Sequence, residues 1–362
     1  MNKISIVGTV GIPARYGGFE TLAENLAAFH IKRKIPCELT VYCTTKGNVE
    51  QPVSYLGAEL RYIGLNANGV ASIPYDVLSL LSSIWRRSSS ILLLGVSGAI
   101  ALPLVRLLSS ARIVVNIDGV EWKREKWKGI ARLFLRFSER MAVRLAHKVV
   151  ADNAAIADYV QATYGVTCNV IAYGGDHAVV VADESIDELK LPQRYAFSVC
   201  RIEPENNVHL ILEAFARQNS IAVVIVGNWN NSLYGRELRA RYSTASEVYI
   251  LDPIYELGKL KALRSSAAIY VHGHSAGGTN PSLVEAMHFG KTVFAFDCEF
   301  NRATTENKAL FFKDVAELSE LLRASDPSIS QVGPAMREIA QRRYTWDAVA
   351  DAYFDLLLGE DR

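Results

Sequence analysis

The sequence predicts an α/β chain of two doubly wound, Rossmann-like domains facing across a cleft. Short, nearly all-apolar runs alternate with amphipathic segments in both halves, the pattern of parallel strands covered by helices on both faces. The chain has 362 residues, more than one hydrophobic core usually fills. A polar stretch at residues 182–193, with Pro192 near its end, separates the halves and reads as a linker. In such sheets ligands bind beyond the carboxyl ends of the strands, so two facing domains place a cleft there.

In the first half, residues 4–7, 38–42, 91–94, 113–116 and 148–151 read as strands, with helical spacing over 19–33 and 130–146. In the second half the strands fall at 195–200, 221–226, 248–251, 269–271 and 293–296, with helices such as 208–217 and 257–265 between them. The N-terminal run is too short and too quickly broken for a signal peptide. No apolar run reaches the ~20 residues of a membrane span; the nearest, residues 90–108, is interrupted by Gly95, Gly98 and Pro103. The five cysteines are scattered, without paired spacing, and fit buried thiols in a reducing cytoplasm. Net charge is +1, so any basic surface is local.

The most informative stretch is Gly277-Gly278-Thr279-Asn280-Pro281-Ser282, which follows an apolar strand and opens a helical segment. A glycine-rich turn at a helix start leaves backbone N–H groups pointing outward in a positive field, which suits a phosphate. Glu285, in the first turns, would repel that phosphate unless it faced a sugar hydroxyl of the same nucleotide. The alternative is a capped helix start with Thr279 or Asn280 as the cap and a solvated Glu285. The first strand ends in Gly8, but neither Gly-x-Gly-x-x-Gly spacing nor an acid after the second strand follows, which disfavours a nicotinamide cofactor. Gly17-Gly18 at the next helix start permits close backbone approach to a ligand; Glu20 is either a site residue there or a cap. His272 and His274 share one side of a strand end, but no third ligand stands at a recognisable spacing, so a metal is not expected.

Four strings carry a resemblance along nearly the whole chain: GIPARYGGFETLAENLA at 11–27, NIDGVEWKREKW at 116–127, CRIEPENN at 200–207 and HGHSAGGTNPSLVEAM at 272–287. Together they resemble the family 4 retaining glycosyltransferases of GT-B fold, in particular the bacterial rhamnosyltransferase-like branch of capsule and O-antigen synthesis. The resemblance implies an N-terminal acceptor-side domain (1–181), the linker (182–193), a nucleotide-sugar domain (194–343), and a tail (344–362) whose helix crosses back to the first domain. It implies that Gly278, Thr279 and Asn280 present the donor diphosphate with backbone amides, that Glu285 binds the ribose, and that Arg201 neutralises the leaving group. Gly17 and Gly18 match the loop that approaches donor and acceptor, and Tyr16, Glu20 and Glu121 fall on the acceptor side. The base would lie near Asn228 and residues 251–255. The chain departs from the family at Asn206, where many relatives have lysine, and at Gly277, where they have glutamate.

For such a transferase without an obvious enzymic nucleophile, front-face attack needs positioning and electrostatics more than a strong base. Asp118 is expected either to orient the acceptor hydroxyl or steady ring charge, or to cap the turn before Gly119; His274 is a candidate contact to the donor sugar. No cofactor and no metal are expected. The donor implied is a nucleotide-diphosphate sugar, dTDP-rhamnose above all, and the acceptor a lipid-linked glycan.

Arg132, Arg136, Arg140 and Arg144 recur four apart among apolar residues at helical spacing. That stripe suits either an anionic membrane surface or the solvated face of a core-packed helix. Near-neutral net charge and the lack of any nucleic-acid motif disfavour nucleic acid. The membrane reading implies a cytoplasmic protein held peripherally at the inner membrane. Two rivals share the fold: a non-catalytic sugar-nucleotide or polysaccharide-binding subunit, favoured by Asn206 and Gly277, and a sugar-nucleotide epimerase, which leaves the basic helix unexplained.

Overall fold

The structure is a computed structural model and describes residues 2–14, 17–46, 50–117, 119, 122, 129–218, 220–324 and 329–359. The chain divides into two compact units, Met1–Tyr173 with Trp346–Arg362, and Gly174–Thr345.

In the first unit, strand β1 (Asn2–Val7) is followed by α1 (Gly18–Arg33), β2 (Cys37–Thr44), β3 (Ser54–Tyr55), β4 (Ala58–Ile63) and α2 (Ser72–Trp85). Then come β5 (Ser90–Leu94), α3 (Leu102–Leu108), β6 (Arg112–Asn116), α4 (Gly129–Leu145), β7 (Lys148–Ala151), α5 (Ala154–Tyr164) and β8 (Asn169–Val170). They form one sheet in the order β3-β4-β2-β1-β5-β6-β7-β8, with only the β3–β4 pair antiparallel. Ile6 pairs with Val41 on one side and Leu92 on the other. The inner strands are buried on both faces, which is why they read as apolar runs. The edge strands β3 and β8, and β4 beside β3, escape sequence prediction because they are short or half-polar: Glu59 and Arg61 alternate with Leu60 along β4, and both residues of β8 are exposed.

The second unit begins with α6 (His177–Val180), then β9 (Tyr195–Val199), α7 (Val208–Ala216), β10 (Ala222–Val226), α8 (Leu233–Tyr242), β11 (Val248–Leu251), α9 (Leu257–Ser266) and β12 (Ile269–His272). It continues with α10 (Pro281–His288), β13 (Thr292–Phe296), α11 (Glu299–Thr304), β14 (Leu310–Phe312), α12 (Val315–Arg323) and α13 (Ile329–Arg343). Its sheet is parallel throughout, in the order β11-β10-β9-β12-β13-β14. Trp229, Phe197, Phe215 and Phe294 are among its fully buried side chains.

The last helix, α14 (Trp346–Leu358), packs in the first unit on α1, β5 and β6. Trp346, Val349, Tyr353 and Phe354 join the core that contains Ile4, Leu26 and Val114. Inside that core the Asn116 amide donates to the Tyr353 hydroxyl at 2.7 Å. The unit boundary at Tyr173/Gly174 lies upstream of the expected linker at 182–193, which falls within the second unit. The physical reason is packing: α6 contacts α9 and α10 and so travels with the second sheet.

Candidate functional site

Each sheet reverses direction once. In the second unit β9 has β10 on one side and β12 on the other, so the switch point, where open α/β sheets bind ligands, lies at the carboxyl ends of β9 and β12. Cys200, Arg201 and the 3-10 turn Pro204–Asn206 follow β9, and Gly273 and His274 follow β12. The two loops are locked together. A Cβ on Gly273 would stand 2.1 Å from the Asn206 carbonyl oxygen, so only glycine fits. Asn207, at φ 48, donates its side-chain amide to the Gly273 carbonyl at 2.9 Å. The Ser275 N–H and hydroxyl each donate to the Glu205 carbonyl at 2.9 Å.

Asn206 is the hub. Its Nδ2 donates to the Arg201 carbonyl and its Oδ1 lies 2.9 Å from His274 Nδ1. Because the amide nitrogen is engaged by a carbonyl, Oδ1 is the atom facing the ring, and this assigns a proton to His274 Nδ1. His272 is buried beside it, with ring centroids 6.1 Å apart. Burial and the neighbouring His274 push the His272 imidazole down to about 3, so it is neutral near pH 7. Its Nε2 has no hydrogen-bond partner among the described residues. Arg201 is half exposed and pairs with Glu203 at 3.5 Å and Glu205 at 3.3 Å. Exposed pairs of this kind are weak.

At the start of α10 the capping alternative is the one observed. Asn280 is its N-cap: Oδ1 accepts from the Ser282 N–H at 3.0 Å and from its hydroxyl at 2.8 Å. The Leu283 and Val284 N–H groups donate to the Asn280 carbonyl, and Pro281 has none to offer. The first helical amides are therefore satisfied within the chain. Donors for an anion would have to come from the loop before the cap, where Gly277 sits at φ 90 and Thr279 is buried.

Glu285 is not solvated. One carboxylate oxygen accepts from Arg264 Nη2 in a short contact, and the other lies 3.4 Å from His177 Nε2. Burial pushes its carboxyl up, but Arg264, His177 and His288 outweigh this and hold it below the usual carboxylate range. Gly175 makes the arrangement possible, since a Cβ there would meet the Glu285 backbone nitrogen at 2.7 Å. Sequence reasoning missed Gly175, His177 and Arg264. The available signal was the second Gly-Gly pair in Gly174-Gly175-Asp176-His177. In the expected base region, the Leu251 carbonyl is held by the Gly227 N–H and by Trp229 Nε1, while Asp252 pairs with Arg239.

In the first unit the switch point lies between β1 and β5. Gly8 is required there because a Cβ would meet the Leu94 carbonyl oxygen at 2.1 Å. Gly17, at φ 133, leaves room for the Glu20 carboxylate, 1.9 Å from where its Cβ would be. Gly18 faces the Tyr173 hydroxyl. Glu20 does not point outward as an acceptor-side residue: Oε1 accepts from the Val10 N–H at 2.8 Å and the Thr9 hydroxyl at 3.1 Å. It closes its own loop because two buried donors there need an acceptor. Tyr16, Asp118 and Glu121 lie outside the described residues.

All four arginines of the basic stripe are exposed along α4. The Arg132 and Arg136 guanidiniums lie over the Trp122 ring, 5.2 and 5.4 Å from its centroid. No helix among the described residues is long and apolar enough to cross a membrane.

Comparison with known proteins adds the following. Residues 182–325 match the family model described as glycosyl transferases group 1, and residues 1–176 match one described as a domain of unknown function, DUF1972. No curated protein matches the chain. Among solved structures, sucrose-phosphate synthase from Thermosynechococcus elongatus is similar at a TM-score of 0.80 and 16% identity over 99% of both chains. A glycosyltransferase from Rickettsia africae is similar at 0.76 and 12%, over 99% of this chain and 98% of that one. The catalytic domain of starch synthase IV from Arabidopsis thaliana, bound to ADP and acarbose, is similar at 0.67 and 12%, over 99% of both chains. At such identities these likenesses show the fold, an α/β chain with two Rossmann-like domains as in GT-B glycosyltransferases. The match of residues 182–325 to the glycosyl transferases group 1 model supports glycosyl transfer from a nucleotide-sugar donor to an acceptor.

Proposed function

We propose that the chain is a metal-independent, retaining hexosyltransferase that moves L-rhamnose from dTDP-rhamnose onto a lipid-linked oligosaccharide in bacterial surface-polysaccharide synthesis. It needs no cofactor and works peripherally at the cytoplasmic face of the inner membrane, with Arg132, Arg136, Arg140 and Arg144 toward anionic lipid. The observation that carries the reading is the locked pair of loops at the β9/β12 switch point, which holds Arg201 and His274 around Asn206. Arg201 exchanges Glu203 and Glu205 for the donor diphosphate and steadies the charge that develops as it leaves. His274, its tautomer set by Asn206, contacts the donor sugar. Glu285, held by Arg264 and His177, retains lone pairs to accept from a ribose hydroxyl. Asp118 orients the acceptor hydroxyl. A 6-deoxy sugar asks for no partner at its 6-position, which agrees with the loss of an acid at Gly277.

A second reading, a non-catalytic sugar-nucleotide-binding subunit, is favoured by one observation: Arg201 is already compensated by two carboxylates, and an uncharged Asn206 stands at the hub. The test is nucleoside diphosphate release from dTDP-rhamnose, UDP-glucose, UDP-galactose and GDP-mannose in turn, without divalent metal and with or without lipid-linked acceptor. Release from dTDP-rhamnose that depends on acceptor supports the transferase. Acceptor-independent release points to hydrolysis or epimerisation, and nucleotide binding without release from any donor favours the subunit.

A further inference from the structure

The first unit exposes apolar side chains on two adjacent helices. On α3, Leu104, Leu107 and Leu108 share one helical face and are all exposed, Leu107 at 80%. On the neighbouring α4, Ile130, Leu133 and Phe137 share another, with Ile130 at 87% and Leu133 at 69%. α3 and α4 pack side by side, and both return from the carboxyl ends of parallel strands, so they run in the same direction. At ~100° per residue, Arg140 and Arg144 fall in the same sector of α4 as Leu133 and Phe137, one to two turns further on. Arg132 and Arg136 lie toward its flank over Trp122.

Charge is segregated around this face. Residues 72–117 and 129–148 contain two acidic residues, Asp76 and Glu139, and both are buried. Glu139 accepts from the hydroxyls of Tyr159 and Tyr164, and burial pushes the Asp76 carboxyl well above the usual carboxylate range. The exposed charge on α3 and α4 is thus entirely basic, in a chain whose net charge is only +1. A protein partner would be expected to meet this ridge with an apolar patch rimmed by acids. A second copy of this chain would bring the same arginines face to face, which disfavours self-association. An anionic bilayer matches both parts, acyl chains for the ridge and headgroups for the arginines.

We propose that α3 and α4 form a bilayer-docking face, with Leu104, Leu107, Leu108, Ile130, Leu133 and Phe137 entering the acyl boundary and Arg140 and Arg144 pairing with anionic headgroups. This deepens the peripheral placement proposed above and rests on that reading. It differs in assigning the hold to apolar insertion on two helices, with charge as selection. Binding therefore resists salt more than an arginine stripe alone allows.

The test is co-sedimentation of the full chain with vesicles of phosphatidylcholine alone or with phosphatidylglycerol added. Wild type is expected to bind the phosphatidylglycerol vesicles and to keep most of that binding in high salt. Leu107→Glu/Leu133→Glu lowers partitioning on the order of a hundredfold, since two inserted side chains are lost. Arg140→Glu/Arg144→Glu lowers it on the order of tenfold or more on phosphatidylglycerol vesicles alone. All four positions are exposed, and unchanged thermal unfolding checks the fold of each variant. Wild type that stays in the supernatant, or variants that bind as it does, overturn the proposal. So does a wild-type dimer in sedimentation velocity that Leu107→Glu/Leu133→Glu dissociates while vesicles go unbound. Turnover with a water-soluble acceptor analogue, measured on the same samples, reads the transferase assignment separately and is expected to survive in the Leu107→Glu/Leu133→Glu variant.

Discussion

Asn206 joins two loops that are far apart in sequence: its amide holds the Arg201 carbonyl at 2.9 Å while its oxygen holds His274 Nδ1 at 2.9 Å. One buried side chain thereby sets both the path of the chain after β9 and the tautomer of the histidine after β12. Asn206→Leu removes both bonds and leaves the Arg201 carbonyl with only the Glu203 N–H, a loss of about 1–3 kcal/mol. The expected result is a lower unfolding midpoint in urea and a donor KM raised severalfold or more. Asn206→Asp keeps the acceptor for His274 but sets a carboxylate against the Arg201 carbonyl. It is expected to damage stability at neutral pH and to recover partly in acid, where the carboxyl carries a proton.

Arg264 and Glu285 make the second decisive contact. Arg264→Leu leaves the partly buried Glu285 carboxylate with only the two histidines His177 and His288 near it, and breaking such a pair costs on the order of 3–5 kcal/mol. The folded-state Glu285 carboxyl is held below its ordinary value. The stabilisation is therefore complete above the ordinary carboxylate range and lost as pH falls through the lower folded value. Urea unfolding of wild type and Arg264→Leu should differ most near pH 7, and the gap should close in acid. A gap that does not change with pH would mean that the pair's charges contribute nothing.

His272 acts in the opposite sense at mildly acidic pH. Its folded pKa is pushed down to about 3, against an ordinary 6.5. Between these values the unfolded chain binds the proton and the folded chain does not, so stability falls as pH drops below about 6.5. The slope approaches ~1.4 kcal/mol per pH unit for this one group. His272→Phe is expected to lose less stability than wild type between pH 7 and pH 5, measured by urea midpoints at both. Equal losses would show that the ring is protonated, or solvated, in the folded protein.

Gly273→Ala tests the loop lock directly. Its Cβ would lie 2.1 Å from the Asn206 carbonyl oxygen, a backbone atom that cannot swing aside as a side chain does. The strand end must shift, at a cost of about 1–3 kcal/mol, and the Asn206–His274 contact shifts with it. We expect donor affinity measured calorimetrically to fall by at least the factor seen in Asn206→Leu. Full affinity would place the donor away from this switch point.

Much of the fold was legible in the chain, because burial on both faces of a parallel sheet demands local runs such as Leu92-Leu93-Leu94 and Val223-Val224-Ile225, whatever the rest of the sequence does. Strands β4 and β8 were not, since polar side chains, Glu59 and Arg61 on β4 and Asn169 on β8, interrupt any such run. Glu285 and the glycines at 17–18 and 277–278 could be singled out for the same reason, because turn and helix-start chemistry is local, whereas Arg201 was singled out by the family resemblance. What these residues touch was decided elsewhere. The partner of Glu285 is Arg264, twenty-one positions back, and the glycine and histidine that complete its setting, Gly175 and His177, lie before β9. Glu20 turned onto the Val10 N–H rather than toward a ligand because β1 and α1 bring a buried donor within its reach. The sequence by itself determined the buried strands and the amphipathic helices between them, because apolar periodicity is a property of neighbours. Only the tertiary structure decided which charges are compensated and which histidine is neutral, because pairing and desolvation depend on distances that the fold, not the chain order, sets.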